Sequence, residues 1–325
     1  MNSDVRERTL VSVFVVSFNT LALTRRCLAS IREKTGDVDL EIIAVDNASR
    51  DGSAEMIARE FPEVRLIASP VNLGFGAANN LAARGARGDW FLLINPDAAV
   101  MDRAIDRLLA FAESHSGAGI LGGRTLNDDL SLNPWSCRRR PTPWSLFCHG
   151  SGLSRLFRFN ALLDPDSLGG WQRDTVRHVD VVSGCFFMVQ RALWERLGGF
   201  DPDFFMYGEE TDFCLRARAL GHRPLITPEA EVIHHGGASE TVRADKMVRL
   251  FAAHVTLFRK HWSRGARSFG AGMLWLWAAT RTCGGWLLGH AGSESGRRKA
   301  REWGEVLKRR REWFYGYPAA GSDSS

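Results

Sequence analysis

Apolar residues in this chain come in short unbroken runs that close on small polar residues, and most runs are followed by apolar positions at helical spacing. Residues 10–16 form such a run and end at Ser17-Phe18-Asn19-Thr20, after which Leu21, Leu28 and Ile31 mark the buried side of a helix over residues 21–33. Residues 40–45 repeat the pattern, pass through Asp46-Asn47-Ala48-Ser49 and enter a helix over 54–61, and residues 64–68 give a third strand. A helix predicted over 77–87 leads to Trp90-Phe91-Leu92-Leu93-Ile94, which runs straight into Asn95-Pro96-Asp97. Five apolar residues stopped by a proline read as a strand buried on both faces, because proline has no N–H to continue the ladder. Strands alternating with helices imply right-handed crossovers and a mostly parallel sheet flanked by helices, so the fold class is α/β.

The pattern then loosens. Residues 126–170 show no clear period and read as a loop insertion carrying the basic run Arg138-Arg139-Arg140. Order returns with a buried strand over 179–189, broken at Ser183-Gly184, a short helix over 191–197, and a strand from Ala230 to the pair His234-His235. Beyond residue 241 a helix over 242–262 precedes an apolar stretch over 269–288. Arg281 interrupts that stretch. A spanning helix needs about 20 predominantly apolar residues, so the stretch reads as re-entrant or interfacial. Residues 297–311 mix many Arg and Lys with Trp303, and Trp313, Phe314 and Tyr315 follow. An amphipathic helix on anionic lipid suits that composition, and a helical hairpin packed on protein or in a dimer interface is the competing reading.

Candidate chemistry sits where the strands end, since ligands of open α/β sheets bind outside the carboxyl ends of the strands. Those ends present Ser17 and Asn19, then Asp46 and Asn47, then Asn95 and Asp97, with the glycine-containing segment Asn72-Leu73-Gly74-Phe75-Gly76 and Asn79 before the fourth strand. Asp46 is the best-placed acceptor for a base or ribose, and Asp97 stands where a diphosphate-bound cation would be held. Asx turns and helix caps explain the same residues without any ligand. Neither G-x-G-x-x-G between strand and helix nor G-x-x-x-x-G-K-[ST] is present, which weakens nicotinamide and P-loop readings. Further on, Phe204-Phe205-Met206-Tyr207-Gly208 leads into Glu209-Glu210-Thr211-Asp212. Acids in a first helical turn each gain about 0.3–1 kcal/mol from the helix dipole. An apolar approach also desolvates at least one of them, raising its pKa toward that of a working base.

Taken in order, Val15-Val16-Ser17-Phe18-Asn19, Val45 to Ser53, Asn72 to Gly76 and Leu93-Ile94-Asn95-Pro96-Asp97 resemble the family 2 glycosyltransferases of GT-A fold, most nearly their rhamnosyltransferase-like branch. The resemblance covers about residues 10–260. It implies nucleotide-sugar contacts from Ser17, Asn19, Asp46, Asn47, Asn72, Gly74, Phe75, Asn79 and Asn95, with Asp46 on the base. It also implies a divalent metal, Mg2+ or Mn2+, on Asp97. Many relatives read Asp-x-Asp where this chain has Asn95, which leaves Asp97 as the single carboxylate of the motif. Glu209-Glu210-Thr211-Asp212 resembles the Glu-Asp-x-Asp pattern, which makes Glu210 the expected catalytic base, Glu209 its alternative, and Asp212 an orienting or capping residue. His234 matches the family's His-x-Gly-Gly-x-Ser and would complete the metal site, with His235 as the fallback. The implied donor is dTDP-L-rhamnose, with galactofuranose or hexose nucleotides as alternatives, and the implied acceptor is a lipid-linked saccharide or cell-envelope glycan. Domain expectations follow: a catalytic domain over 1–240, with a nucleotide-sugar half over 10–125 and an acceptor half over 126–240, then a basic helical extension over 241–325.

Composition narrows the setting. The 325 residues, 45% hydrophobic and 24% charged, suit a large globular chain. Six scattered cysteines without a C-x-x-C pair suggest reduced thiols and a cytoplasmic location, and polar residues at the amino terminus give no sign of a signal peptide. Residues 240–325 hold 16 Lys and Arg against 7 Asp and Glu, so the extension carries the positive charge. Basic residues among tryptophans and apolar runs point to an anionic membrane surface at the inner face of the cell membrane, with self-association as a further expectation, and not to nucleic acid. A nucleotidyltransferase would carry a glycine-rich loop after the first strand, and a catalytically silent scaffold would have no need of Asp97, Glu209, Glu210 and His234 together.

Overall fold

In the computed structural model of the chain, the described residues are 9–236 and 242–319. Eleven strands occur among them: β1 Leu10–Ser17, β2 Asp39–Asn47, β3 Arg65–Ser69, β4 Trp90–Ile94, β5 Ala98–Val100, β6 Ile120–Leu126, β7 Cys137–Arg138, β8 Arg177–His178, β9 Val181–Val182, β10 Phe186–Gln190 and β11 Leu225–His234. The helices are α1 Leu21–Lys34, α2 Ser53–Glu60, α3 Phe75–Ala83, α4 Ala104–Ser114, α5 Pro143–Ser151, α6 Leu153–Leu156, α7 Arg191–Leu197, α8 Glu209–Ala219, α9 Arg243–His261, α10 Arg264–His290, α11 Glu294–Lys308 and α12 Arg310–Trp313. They fall into two compact units. One takes in Met1–Cys137, Gln172–Phe200 and Phe213–Ser239, and the other Arg138–Trp171, Asp201–Asp212 and Glu240–Ser325.

The first unit is built on a sheet of order β3-β2-β1-β4-β10-β6-β11-β5, with β8 beside β11. The parallel order expected from the alternation holds for β3, β2, β1 and β4. Beyond β4 the sheet is mixed, because β10 enters antiparallel to both β4 and β6 while β11 runs parallel to β6. An apolar run does not encode its direction, so the sequence pattern found β10 but not its sense. All five residues of β4 are buried, as are seven of the eight in β1, as strands covered on both faces should be. Val13, Val15, Leu92, Ile31, Ile57 and Leu108 belong to the core that joins sheet and helices. The chain moves outward from β1 through β2 to β3 and then returns to β4 on the other side of β1, which creates a topological switch point at the carboxyl ends of β1 and β4.

The second unit is helical. Its core is aromatic, with Phe251 packed against Trp277, Trp303 and Trp313 at ring separations of 5.5, 6.3 and 5.1 Å. Trp303 and Trp313, which the sequence pattern placed on a lipid-facing helix, are buried here, and the Trp313 indole donates to the Val306 carbonyl at 2.9 Å. The loop expected over 126–170 contains α5, begun by Thr142 and Ser145 in a reciprocal capping box with Pro143 in the first turn. The interrupted apolar stretch is one continuous helix, α10, which returns along α11 as a hairpin. Small residues let the two approach, since a Cβ on Gly285 would stand 2.7 Å from the Ala300 nitrogen and one on Gly296 would stand 2.6 Å from the Gly289 nitrogen. Among the described residues no helix is long and apolar enough to cross a membrane.

Candidate active site

The carboxyl ends of β1 and β2 lie side by side, with Ser17 opposite Asp46 in the parallel register. Their loops are laced together: the Asn19 N–H donates to Ser49 Oγ at 2.9 Å, and the Arg50 N–H donates to Asn19 Oδ1 at 2.8 Å. Asp46 is 3% exposed and accepts from the Ser49 N–H through Oδ2 at 3.0 Å, while Oδ1 is buried without a partner. A buried carboxylate oxygen with nothing to accept from is costly unless a ligand supplies the donor.

Several other sequence candidates shape the loops. Asn47 is consumed by the next segment, donating to Asn72 Oδ1 at 2.9 Å and accepting from the Leu73 N–H at 2.8 Å. Asn72 in turn accepts from the Gly74 N–H at 2.9 Å. Gly74 has φ 78° and ψ 173°, a region open essentially to glycine alone, and it turns the chain into α3, whose first residue is Phe75. Ser17 and Asn79 have almost no exposed surface. Ser17 Oγ sits among the Thr20 and Thr24 hydroxyls at 3.3 and 3.0 Å, and the Asn79 amide donates to the Phe75 carbonyl at 2.9 Å. Both side chains bond within the protein.

After β4, Asp97 closes a turn that begins β5, and β5 pairs antiparallel with β11 so that Ala98 lies opposite His234. That register puts the imidazole beside the carboxylate: His234 Nε2 is 3.2 Å from Asp97 Oδ1, and the Asn95 amide nitrogen is 3.3 Å from His234 Nε2. Burial pushes the Asp97 carboxyl up, but the hydrogen bond and charge of His234 outweigh it and hold the group below the usual carboxylate range. The His235 imidazole pairs closely with Asp128 while its backbone N–H donates to the Asp97 carbonyl at 3.0 Å, so of the two imidazoles it is that of His234 which meets the Asp97 carboxylate. The Gly237 and Ser239 positions of the histidine motif lie outside the described residues.

The acidic cluster belongs to the second unit. Tyr207 and Gly208 both have positive φ, and the chain enters α8 at Glu209. Glu209 is buried with Oε2 unpartnered, and burial together with the neighbouring Glu210 charge raises its pKa well above the ordinary value. Glu210 accepts from Arg138 Nη2 at 2.6 Å, and the same nitrogen donates to Thr211 Oγ1 at 2.6 Å. Asp212 is 1% exposed and lies 2.8 Å from His261 Nε2, at the end of α9, so it is tied to another helix. Lys260 bridges Asp201 and Asp203 at 2.8 and 2.7 Å, and the Tyr317 hydroxyl donates to the Met206 carbonyl at 2.7 Å. The C-terminal segment therefore braces the whole acidic loop. Arg138, Lys260 and His261 were not singled out as partners in the sequence, since nothing local ties them to residues 49 to 72 positions away.

A switch point flanked by polar strand ends is where open α/β sheets bind their ligands. The chain belongs to glycosyl transferase family 2, whose family model matches residues 12–197. It is 30% identical over 250 residues to the N-acetylglucosaminyl-diphospho-decaprenol L-rhamnosyltransferase of Mycobacterium tuberculosis strain H37Rv, covering 70% of this chain and 76% of that protein. It is 29% identical over 169 residues to the rhamnosyltransferase WbbL of Escherichia coli K12, covering 50% and 61% of the two chains. Among solved structures it resembles the mannosyltransferase PcManGT of Pyrobaculum calidifontis, in complex with GDP-Man and Mn2+, with TM-score 0.57, 18% identity and coverage of 95% and 88%. GalNAc-T7 with UDP, GalNAc and Mn2+ follows with TM-score 0.55, 15% identity and coverage of 85% and 51%. At those identities the structural likeness concerns the fold. The protein is a glycosyltransferase.

Proposed function

We propose that this glycosyltransferase moves L-rhamnose from dTDP-L-rhamnose to a polyprenyl-diphosphate-linked saccharide at the inner face of the cell membrane, inverting the anomeric carbon. The observation that carries the reading is a pair of buried, unsatisfied carboxyl oxygens, Asp46 Oδ1 in the first unit and Glu209 Oε2 in the second. Each costs about 1–3 kcal/mol if left so. Bound substrate offsets that cost, with a donor on the nucleotide for Asp46 and a polar group on the acceptor side for Glu209. The names of the rhamnosyltransferase relatives support the choice of sugar and lipid-linked acceptor.

Among the described residues, no three His, Cys, Asp or Glu side chains gather as a ready metal cage. Asp97 and His234 nonetheless fit a divalent cation, Mg2+ or Mn2+, and are the residues that would hold it. A carboxylate oxygen and an imidazole nitrogen are the donor types Mn2+ accepts, and Asn95 stands beside them. Such a cation, when bound, neutralises charge on the leaving diphosphate. The chain's own residues do the rest. The Glu210 carboxylate takes the acceptor hydroxyl proton, and that oxygen's electron pair forms the new bond to the anomeric carbon. The bond to the diphosphate breaks on the opposite face, and its electrons leave with the nucleotide. Arg138 holds Glu210 in place. Burial and the neighbouring Glu210 charge push the Glu209 carboxyl up, which favours its neutral form beside the Glu210 carboxylate.

Calorimetric titration with dTDP-rhamnose, UDP-galactofuranose and GDP-mannose, each with and without Mn2+, tests the donor side. We expect dTDP-rhamnose to bind tightest, with Mn2+, and Asp46→Ala to weaken it about tenfold or more. Tighter binding of another sugar nucleotide would replace the donor.

A further inference from the structure

The second unit exposes large apolar side chains that its own core does not use, six of them over residues 144–162 and five on the α10 arm of the α10–α11 hairpin, Phe269, Trp275, Trp286, Leu287 and Leu288. Ala271, Leu274 and Ala278 face inward along α10, while Trp275, Trp286 and Leu287 stand 47%, 56% and 61% exposed on the other side. Between the two helices runs a groove of about 490 Å3, lined by Thr282, Cys283, Trp286, Leu287, Ala300 and Arg301. The rim is basic. Arg298, Arg301 and Lys308 recur along the exposed side of α11, and Arg301 has no ion-pair partner among the described residues. Aromatic and aliphatic side chains bordered by cations make up the composition of a face that lies in a membrane interface. Among the described residues no helix is suited to span the bilayer, so any contact is lateral.

We infer that the α10–α11 hairpin rests on an anionic phospholipid surface, with Trp286 and Leu287 sunk beside the acyl chains and Arg301 on lipid phosphate. A second copy of the chain is the weaker occupant. Twofold pairing through this face would bring two copies of the Arg298, Arg301 and Lys308 charges together. This inference gives the membrane location proposed above a physical basis, and its test needs no sugar transfer.

Cys283 provides the reporter, since its thiol is exposed in the groove while the other five cysteines are buried. An environment-sensitive fluorophore on Cys283 of the full chain is titrated with phosphatidylcholine vesicles containing phosphatidylglycerol, and with phosphatidylcholine alone. The expected result is a blue shift with anionic vesicles, binding at least about tenfold weaker to neutral ones, and release at about 1 M salt, where charges are screened within about 3 Å. Trp286→Ser with Leu287→Ser should weaken vesicle binding about tenfold or more and leave dTDP-rhamnose binding unchanged. That last readout separates failure here from failure of the transferase reading. Equal binding to neutral vesicles, vesicle binding with the label left in water, or a blue shift that grows with protein concentration without lipid would each overturn the inference.

Discussion

His234 reaches Asp97 because β11 and β5 pair antiparallel in a register that sets His234 opposite Ala98, leaving Nε2 3.2 Å from Oδ1. Two residues 137 positions apart thus form one carboxylate–imidazole pair by strand register alone. Asp97→Asn keeps the shape and removes the charge. Its expected effect is loss of Mn2+-dependent tightening in a dTDP-rhamnose titration and a fall in transfer of roughly 100-fold.

Glu209 gives a prediction for stability against pH. Its carboxyl has a raised pKa in the folded chain, so the folded state holds a proton that the unfolded state releases above about pH 4.3. Its contribution to stability is therefore complete below that pH and declines as pH rises toward the folded value. Glu209→Gln removes the decline. Thermal melts should show the variant gaining on the wild type by about 1.4 kcal/mol per pH unit over that window, with no gain at pH 4.

Arg138→Met leaves Glu210 without the guanidinium that orients it. A charged, half-buried hydrogen bond of this kind is worth about 1.5–3 kcal/mol, so the melting temperature should drop. Steady-state kinetics should show kcat falling about 10- to 100-fold with donor KM unchanged, because misplacing the base affects the chemical step.

Gly74→Ala tests the turn before α3. At φ 78° and ψ 173° a Cβ is strained whatever space surrounds it, at a cost of about 1–3 kcal/mol. Denaturant unfolding should report that loss, and nucleotide binding should weaken if the segment from Asn72 to Phe75 faces the donor.

What the sequence disclosed follows the range of the interactions. β1, β2 and β4 and their polar ends were legible because a buried strand and the turn after it are coded within about ten residues. Asp46 and Asp97 emerge from that local pattern. The direction of β10 was not legible, since an apolar run reads the same both ways. Nor was the bond between Arg138 and Glu210, 72 residues apart, or that between His261 and Asp212, 49 apart. The helix α5 did carry a local sign, Thr142 before Pro143, but Trp144, His149 and Gly150 blur its period. Trp303 and Trp313 looked like lipid-facing residues because helical spacing does not say whether an apolar face meets protein or membrane.

The most direct test of the account is transfer of radiolabelled rhamnose from dTDP-rhamnose into a membrane lipid extract, by the wild type and by Glu210→Gln, with and without Mn2+. The expected result is label in the lipid fraction only with wild type and metal, and a loss of roughly 100-fold or more in Glu210→Gln. Full transfer by Glu210→Gln, or no transfer by the wild type from any donor it binds, would contradict it.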